Sequence, residues 1–492
     1  MGLATELLNR PATRYRGTDI DGAILEPEGL WVRGRNLNDL IGTVSFEDAL
    51  WHLWFERMPT PAEGAALRAR LAQYGAHFAR GNPSTRAAAA VAQTGVDMVF
   101  AAATGLLRDI ERPPFDAGEA PGWGADFDTL LGCLAGAPYL MRAALGAPRV
   151  DDPGTSHAAR VLRAAGASGG GSPHAERVID ALLVAWHGGF GYVTPTVLVP
   201  RCAIGTGVSL SQAIAAGFMS SGPNHVGAAR SAMQWLRALA RRLDDEPDAL
   251  DAVVRRAIGR VLDESGALLA GFGHPLFEAD PRPPRIRALF AEWGFGGRHV
   301  DMFDVACDEA RKRKNLKPNI DFATGAALLD LGFAEPQWGI GVGLSARIAA
   351  MAAHAVERRR RPRSARTAPP RAGCWRPCRS AGCSPLSHPS ALQGVPPCCS
   401  RTCAPPTTTI ASRTKRSRRG TRSSSRASAS SRARCRPARS PTSAPRRPSC
   451  PCGSPPIRRW RNGASSASIS TPRCSTKACR ASRGSVSPGA SR

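Results

Sequence analysis

Gly271–Arg282 reads GFGHPLFEADPR. This stretch sets His274 among glycines and follows it with the turn Asp280-Pro281-Arg282. Glycine has no side chain to obstruct a small ligand, so the backbone around His274 can be approached closely. Arg282 offers the planar, two-pronged donor that a carboxylate fits. A lone histidine in a loop is more often a surface residue than a catalyst. Two further segments of similar build strengthen the case: Ser221–Arg230, SGPNHVGAAR, and Asn315–Gly325, NLKPNIDFATG. The first places His225 beside a helix start after Gly222-Pro223. The second places Asp321 after Pro318-Asn319-Ile320.

Taken in order, these segments resemble the three catalytic segments of the citrate synthase family. Those run Gly-Pro-x-His, then Gly-x-Gly-His with Asp-Pro-Arg, then Pro-Asn-x-Asp. The resemblance extends from about Tyr15 to Glu357. It implies an all-α fold with a large domain (1–230 and 343–357), a small domain (231–342), an active-site cleft between them, and a homodimer. It also implies condensation of acetyl-CoA with oxaloacetate to give citrate and CoA. The CoA thioester is then a substrate, and no cofactor or metal is needed. Citryl-CoA lyase and 2-methylcitrate synthase are the alternatives within the family; a non-catalytic paralogue or a nucleic-acid binder driven by the tail are readings from other classes.

The resemblance assigns roles residue by residue. Asp321 is the base that removes the methyl proton, and His225 donates a hydrogen bond to the thioester oxygen as charge builds there. His274 polarises the ketone of oxaloacetate and protonates the new alkoxide. Arg282 and Arg347 hold the substrate carboxylates, and His187 is a further substrate ligand. Local structure offers a plainer use for several of them. Asp321 could be the N-cap of a helix over 322–331, His225 could cap its own helix, and Arg347 could be a surface cation. His187, just before Gly188, fits simple helix-end electrostatics. The sequence departs from the family around His187-Gly188-Gly189-Phe190 and in Val226–Arg230. The family arginine lent by a partner subunit would fall in the segment after the last helix, where this chain is Arg-rich.

The formal net charge of +27 suggests a nucleic-acid binder until its distribution is read. Residues 358–492 hold 31 Lys and Arg and no acid, which leaves 35 basic residues for the 39 acids of 1–357, a net −4. The tail is dominated by Arg, Ser, Pro, Ala, Cys, Thr and Gly, with few large aliphatic residues, so it is expected to be disordered. An out-of-frame reading of a GC-rich gene gives the same bias. Its basic residues would touch nucleic acid only non-specifically, and Trp375 and Trp460 are its only aromatics. Cys133, Cys202 and Cys307 are the only cysteines before it, as in a reduced cytoplasmic enzyme. No run of about 18 apolar residues predicts a membrane span, and the N-terminus lacks a secretory core.

Helices are expected after Ser45, from Thr60-Pro61 with Glu63 completing a cap, and in stretches from Ala65 to Leu145. Further ones are expected over Ala175–Trp186, Ser209–Ser220, from near His225, and over Ala249–Leu269, Pro283–Trp293 and Leu344–Glu357. Residues 1–30 read as loops, with a turn at Asp19–Gly22, and Gly169–Gly171 as a connection.

Overall fold

The computed structural model describes residues 15–25, 28–107, 122–190, 194–223, 225–244, 249–265 and 268–360. All of them fall within a compact unit spanning Met1–Pro389. Arg358–Arg360 continue the last helix, which corrects the reading of 358–492 as disordered at its start; the rest of that segment lies outside the described residues.

The chain opens with a four-stranded antiparallel meander: β1 Tyr15–Gly17, β2 Asp21–Leu25, β3 Glu28–Val32 and β4 Arg35–Asn36. Helices follow: α1 Leu37–Leu40, α2 Phe46–Phe55, α3 Pro61–Ala79, α4 Pro83–Ala92, α5 Met98–Leu106, α6 Ala125–Ala144 and α7 His157–Ala165. Then come α8 Ala175–Trp186, α9 Pro195–Gly205, α10 Leu210–Met219, α11 Gly227–Leu243 and α12 Leu250–Gly259. The last four are α13 Arg282–Glu292, α14 Arg298–Lys314, α15 Ile320–Asp330 and α16 Trp338–Arg360. Among the described residues the body is therefore all-α apart from the N-terminal sheet and one isolated bridge between Phe272 and Pro318. That sheet corrects the loop reading of 1–30: the bend covers Asp19-Ile20, and Asp21 and Gly22 already pair across β2 with Val32 and Trp31. Strands of two to five residues, one containing Asp-Gly, carry too little alternation to be read from sequence.

Local chemistry sets the helix starts. Ser45 accepts from the Asp48 amide, and reciprocal capping boxes join Thr60 to Glu63, Asn82 to Thr85 and Ser209 to Gln212. Helix α2 stops at Glu56, which is left-handed at φ 66°, before Met58-Pro59 is reached. The helix expected over 249–269 is regular only to Gly259 and then widens into a π turn over Arg260–Ser265.

Helix α16 is the longest at 23 residues, about 35 Å, and packs against α6, α8, α9, α10 and α11. It is long and apolar enough to cross a bilayer, which the sequence reading missed, but that apolar window is wholly buried inside the protein. Its small residues permit this. A Cβ on Gly339 would lie 2.7 Å from the Ala229 carbonyl carbon, so the two backbones touch only because Gly339 has none. Arg347, Ser345 and His354 are thereby carried into the interior.

Candidate active site

The loop bearing His274 is stitched to the start of α15. Gly273 N donates to Lys317 O at 2.9 Å, Asn319 N to Gly271 O at 2.8 Å, and Asn319 Nδ2 to Gly273 O at 2.9 Å. Gly271 needs its glycine twice over: φ is +81°, and a Cβ there would meet Phe322 at 2.6 Å. Asn319 also caps α15, its Oδ1 accepting from the Asp321 amide at 3.0 Å. The cap position thus belongs to Asn319, and the Asp321 carboxyl is released from that duty.

Arg282 and Asp280 form one corner. Arg282 Nε donates to Asp280 Oδ1 at 2.9 Å and Nη2 to Oδ2 at 2.8 Å, and the Ile320 amide adds a third donor at 2.9 Å. Both residues are buried. Burial pushes the Asp280 carboxyl up, but the Arg282 charge and hydrogen bonds outweigh it and hold it below the usual carboxylate range. One fork of Arg282 is therefore already committed, which the sequence did not reveal.

Asp321 and Arg347 interact at a second corner, and each keeps one buried atom without a hydrogen-bond partner. Asp321 Oδ1 is buried without a hydrogen-bond partner. Burial raises its pKa to about 7, with Arg282 and Arg347 opposing the rise. Arg347 Nη1 is likewise without a partner, and burial followed by repulsion from Arg282 lowers its pKa to about 9. Both guanidinium groups face the rings of Trp186 and Phe190, Arg282 at 5.1 Å and Arg347 at 5.3 Å from the Phe190 centroid.

The end of α8 gathers the donors. Its last carbonyls have no helical partner and lie at the negative end of the helix. Val184 O accepts from His187 Nδ1 at 2.6 Å, Ala185 O from Arg282 Nη1 at 3.3 Å, and Trp186 O from Arg347 Nε at 3.0 Å. The Trp186 indole reaches Thr324 on α15 at 2.9 Å and locks the two helices together. His187 is fully buried with no partner on Nε2. Burial lowers its pKa, and Asp21 and the Val184 carbonyl partly offset this.

His274 stacks on Phe277 at 4.8 Å, and its Nδ1 accepts from the amides of Leu276 at 3.2 Å and Phe277 at 3.3 Å. Its proton is therefore on Nε2, which is left as a hydrogen-bond donor. Burial lowers the pKa to about 4, so the ring is neutral near pH 7. His225 precedes α11 and makes no cap bond; its Nε2 lies 3.2 Å from the Thr196 hydroxyl. Burial, then Arg347, lowers its pKa to about 4.

All six residues singled out in the sequence fall into one electrostatic neighbourhood. Arg347 acts on His187, His225 and Asp321, and Arg282 acts on His274, Asp321 and Arg347. Sequence reasoning assigned no role to Asp280, Phe190, Thr196 or Asp21. Of these, only Asp280 carried a signal, the Asp-Pro-Arg motif itself. Cavities of about 250 and 230 Å³ lie elsewhere, beside Arg33 and Glu357 and beside Tyr139 and Arg142. Among the described residues no cluster of His, Cys, Asp and Glu is arranged to hold a metal ion.

Two buried arginines, a buried acid with one oxygen lacking a hydrogen-bond partner and three neighbouring histidines are gathered on an all-α scaffold. The family model described as "Citrate synthase, C-terminal domain" matches residues 6–377, and the chain belongs to that family. Among curated proteins it is 31% identical over 140 residues to 2-methylcitrate synthase 2 of Corynebacterium glutamicum. That alignment covers 28% of this chain and spans about a third, 34%, of the relative. Among solved structures it is similar in fold to citrate synthase from Thermoplasma acidophilum, in ternary complex with carboxymethyl coenzyme A and oxaloacetate. There the TM-score is 0.55 at 17% identity, covering 80% of this chain and 98% of that one. For citrate synthase from Pyrobaculum aerophilum the TM-score is 0.53 at 19% identity, with coverage of 75% and 89%. For the Thermotoga maritima enzyme it is 0.51 at 17%, with coverage of 69% and 87%.

Proposed function

We propose that the chain condenses acetyl-CoA with oxaloacetate to give citrate and CoA. The observation that carries this reading is the pairing of an Asp321 carboxyl whose Oδ1 has no hydrogen-bond partner, with a pKa of about 7, and an unpartnered Arg347 Nη1 in one buried neighbourhood. The acid suits removal of a weakly acidic proton near neutral pH, and the cation suits a carboxylate. In this mechanism Asp321 takes a proton from the acetyl methyl group. If the Thr196 hydroxyl donates to His225 Nε2, the ring proton is on Nδ1 and serves the thioester oxygen as the enol forms. The new carbon–carbon bond turns the ketone of oxaloacetate into an alkoxide, which takes a proton from His274 Nε2. Water then cleaves the citryl thioester, its proton restoring His274 and the proton on Asp321 leaving with the CoA thiol, and citrate is released. Arg347 and His187, with the uncommitted edge of Arg282, hold the dicarboxylate.

The reading includes the domain division 1–230 with 343–357 against 231–342, closure of the two domains over the substrates, and a homodimer. Nucleic acid enters it only as a non-specific contact of the basic residues beyond 357. The similarity to a 2-methylcitrate synthase favours propionyl-CoA as a second acyl donor. Release of thiol from acetyl-CoA that depends on oxaloacetate tests the proposal. Preference for propionyl-CoA selects the second reading. Cleavage of citryl-CoA without net condensation selects the lyase, and no turnover of any of the three overturns the enzymatic reading.

A further inference from the structure

A second polar network, buried except at Glu357, is left without a role by the mechanism above. It joins Asp21 on β2, Arg201 on α9, and His354 and Glu357 on α16. Arg201 Nη1 donates to Glu357 Oε2 at 2.5 Å and meets His354 Nδ1 at 3.0 Å. A guanidinium has no lone pair to offer, so Nδ1 accepts and the imidazole proton is on Nε2. Nε2–H donates to Asp21 Oδ1 at 2.8 Å, and Asp21 Oδ2 accepts from the Gly189 amide. Every link thus has a fixed direction, and the chain ends on the backbone of the His187–Phe190 turn.

That turn needs holding. Phe190 is left-handed, with φ 53°, a conformation that a bulky side chain adopts only under constraint. Its ring lies beside both guanidinium groups. Arg347 hydrogen-bonds to no carboxylate, and the opposite charges supporting it are Asp21 and Asp321. Asp321 must exchange its proton during the reaction proposed above, whereas Asp21 is held by two N–H donors.

We propose that Asp21, aimed by His354 and Arg201, is a positioning residue for the dicarboxylate site: it fixes the Gly189 amide, hence His187 and Phe190, and stations a carboxylate near Arg347. This inference rests on the reading of the site as one for oxaloacetate. It gives work to four residues that touch no substrate.

The test uses the full chain with Asp21→Asn, which removes the charge and presents one acceptor oxygen to two N–H donors. Loss of a charge-assisted hydrogen bond is expected to raise the KM and calorimetric Kd for oxaloacetate about tenfold to hundredfold. The effect on kcat is expected to stay within about threefold, because the acid–base residues are untouched. Hydrogen exchange at the Gly189 amide should quicken. His354→Ala should repeat the loss, and His354→Gln should recover most of it, since glutamine can still donate to Asp21 and accept from Arg201. The His354 pair decides the matter if Asp21→Asn fails to fold. Lower melting with unchanged oxaloacetate affinity, or equal affinity in the two His354 variants, overturns the inference. A wild type that binds no oxaloacetate defeats the substrate reading instead, and exchange at Gly189 then decides whether Asp21 positions the turn.

Discussion

Asp280 and Asp321 are both buried aspartates at the start of helices, and each lies near an arginine, yet their states are opposite. Asp280 is gripped by the fork of Arg282 and by the Ile320 amide, and its carboxyl is held low. Asp321 has an oxygen with no partner and a pKa raised to about 7. The arginines divide in the same way: Arg282 is neutralised by contact with Asp280, whereas Arg347 makes one backbone hydrogen bond and keeps an unpartnered nitrogen. A buried ion pair joined through a fork of hydrogen bonds is a structural strut; a buried ion left unmet is a cost that folding alone does not explain. On the proposed reading the first corner chiefly holds the loop in place, with one edge of Arg282 left for substrate, and the second corner takes the ligand.

The sharpest break in that contrast is Asp321→Asn. Amide for carboxyl preserves shape and removes the proton acceptor, so turnover should fall about 10²–10⁴-fold, the usual cost of losing a general base. Stability should move the other way. Asp321 binds its proton more tightly folded than unfolded, so its contribution is full below the unfolded value of 3.8 and is lost as pH rises through about 7. Asp321→Asn escapes that loss. In scanning calorimetry it should melt higher than wild type at pH 8 and close to it at pH 4. Lower melting at both values would return Asp321 to a structural role.

The arginines provide the next comparison. Arg282→Ala leaves Asp280 buried and unpaired and should cost about 3–5 kcal/mol of stability in denaturant unfolding. Arg347→Met removes a cation that no carboxylate contacts, and its stability should change by about 1 kcal/mol, the worth of one neutral hydrogen bond. Its oxaloacetate Kd, by contrast, should rise about tenfold to hundredfold. Equal destabilisation by the two variants would erase the distinction between strut and ligand site.

The sequence made the local parts of this arrangement legible. Ser45, Thr60 and Ser209 announce their helices because a cap and its partner lie within three residues of each other. The three motifs named His225, His274 and Asp321 because each sits beside its own glycines and prolines. What escaped the reading depends on distant partners. Asp21 meets His354 across 333 residues, and Trp186 meets Thr324 across 138. No periodicity announces either pair. The convergence of His187, Arg282 and Arg347 on three successive carbonyls of α8 is of the same kind. The motifs supplied the donors but not the acceptors that leave one arginine braced and the other with nitrogen to spare.

His187 offers the smallest and most discriminating measurement. Its Nδ1–H is spent on Val184 O, so in the neutral ring Nε2 carries a lone pair, which repels a carboxylate. Nε2 can donate only if the ring takes up a proton, and burial lowers the pKa in the free protein. Arriving with two negative charges, oxaloacetate raises it again. Binding through His187 should therefore consume a proton, and affinity should weaken as pH rises between the free and bound pKa values. The slope is at most about tenfold per pH unit, the limit for one proton. Calorimetry in buffers of different ionisation enthalpy counts that proton directly. Asp321 also gains proton affinity beside an added dianion, so the assignment needs both single variants. His187→Gln should abolish most of the uptake and flatten the pH dependence, while Asp321→Asn should leave the His187 share in place. Undiminished uptake in His187→Gln would move the proton to Asp321 and leave Arg347 as the principal anion donor of its corner.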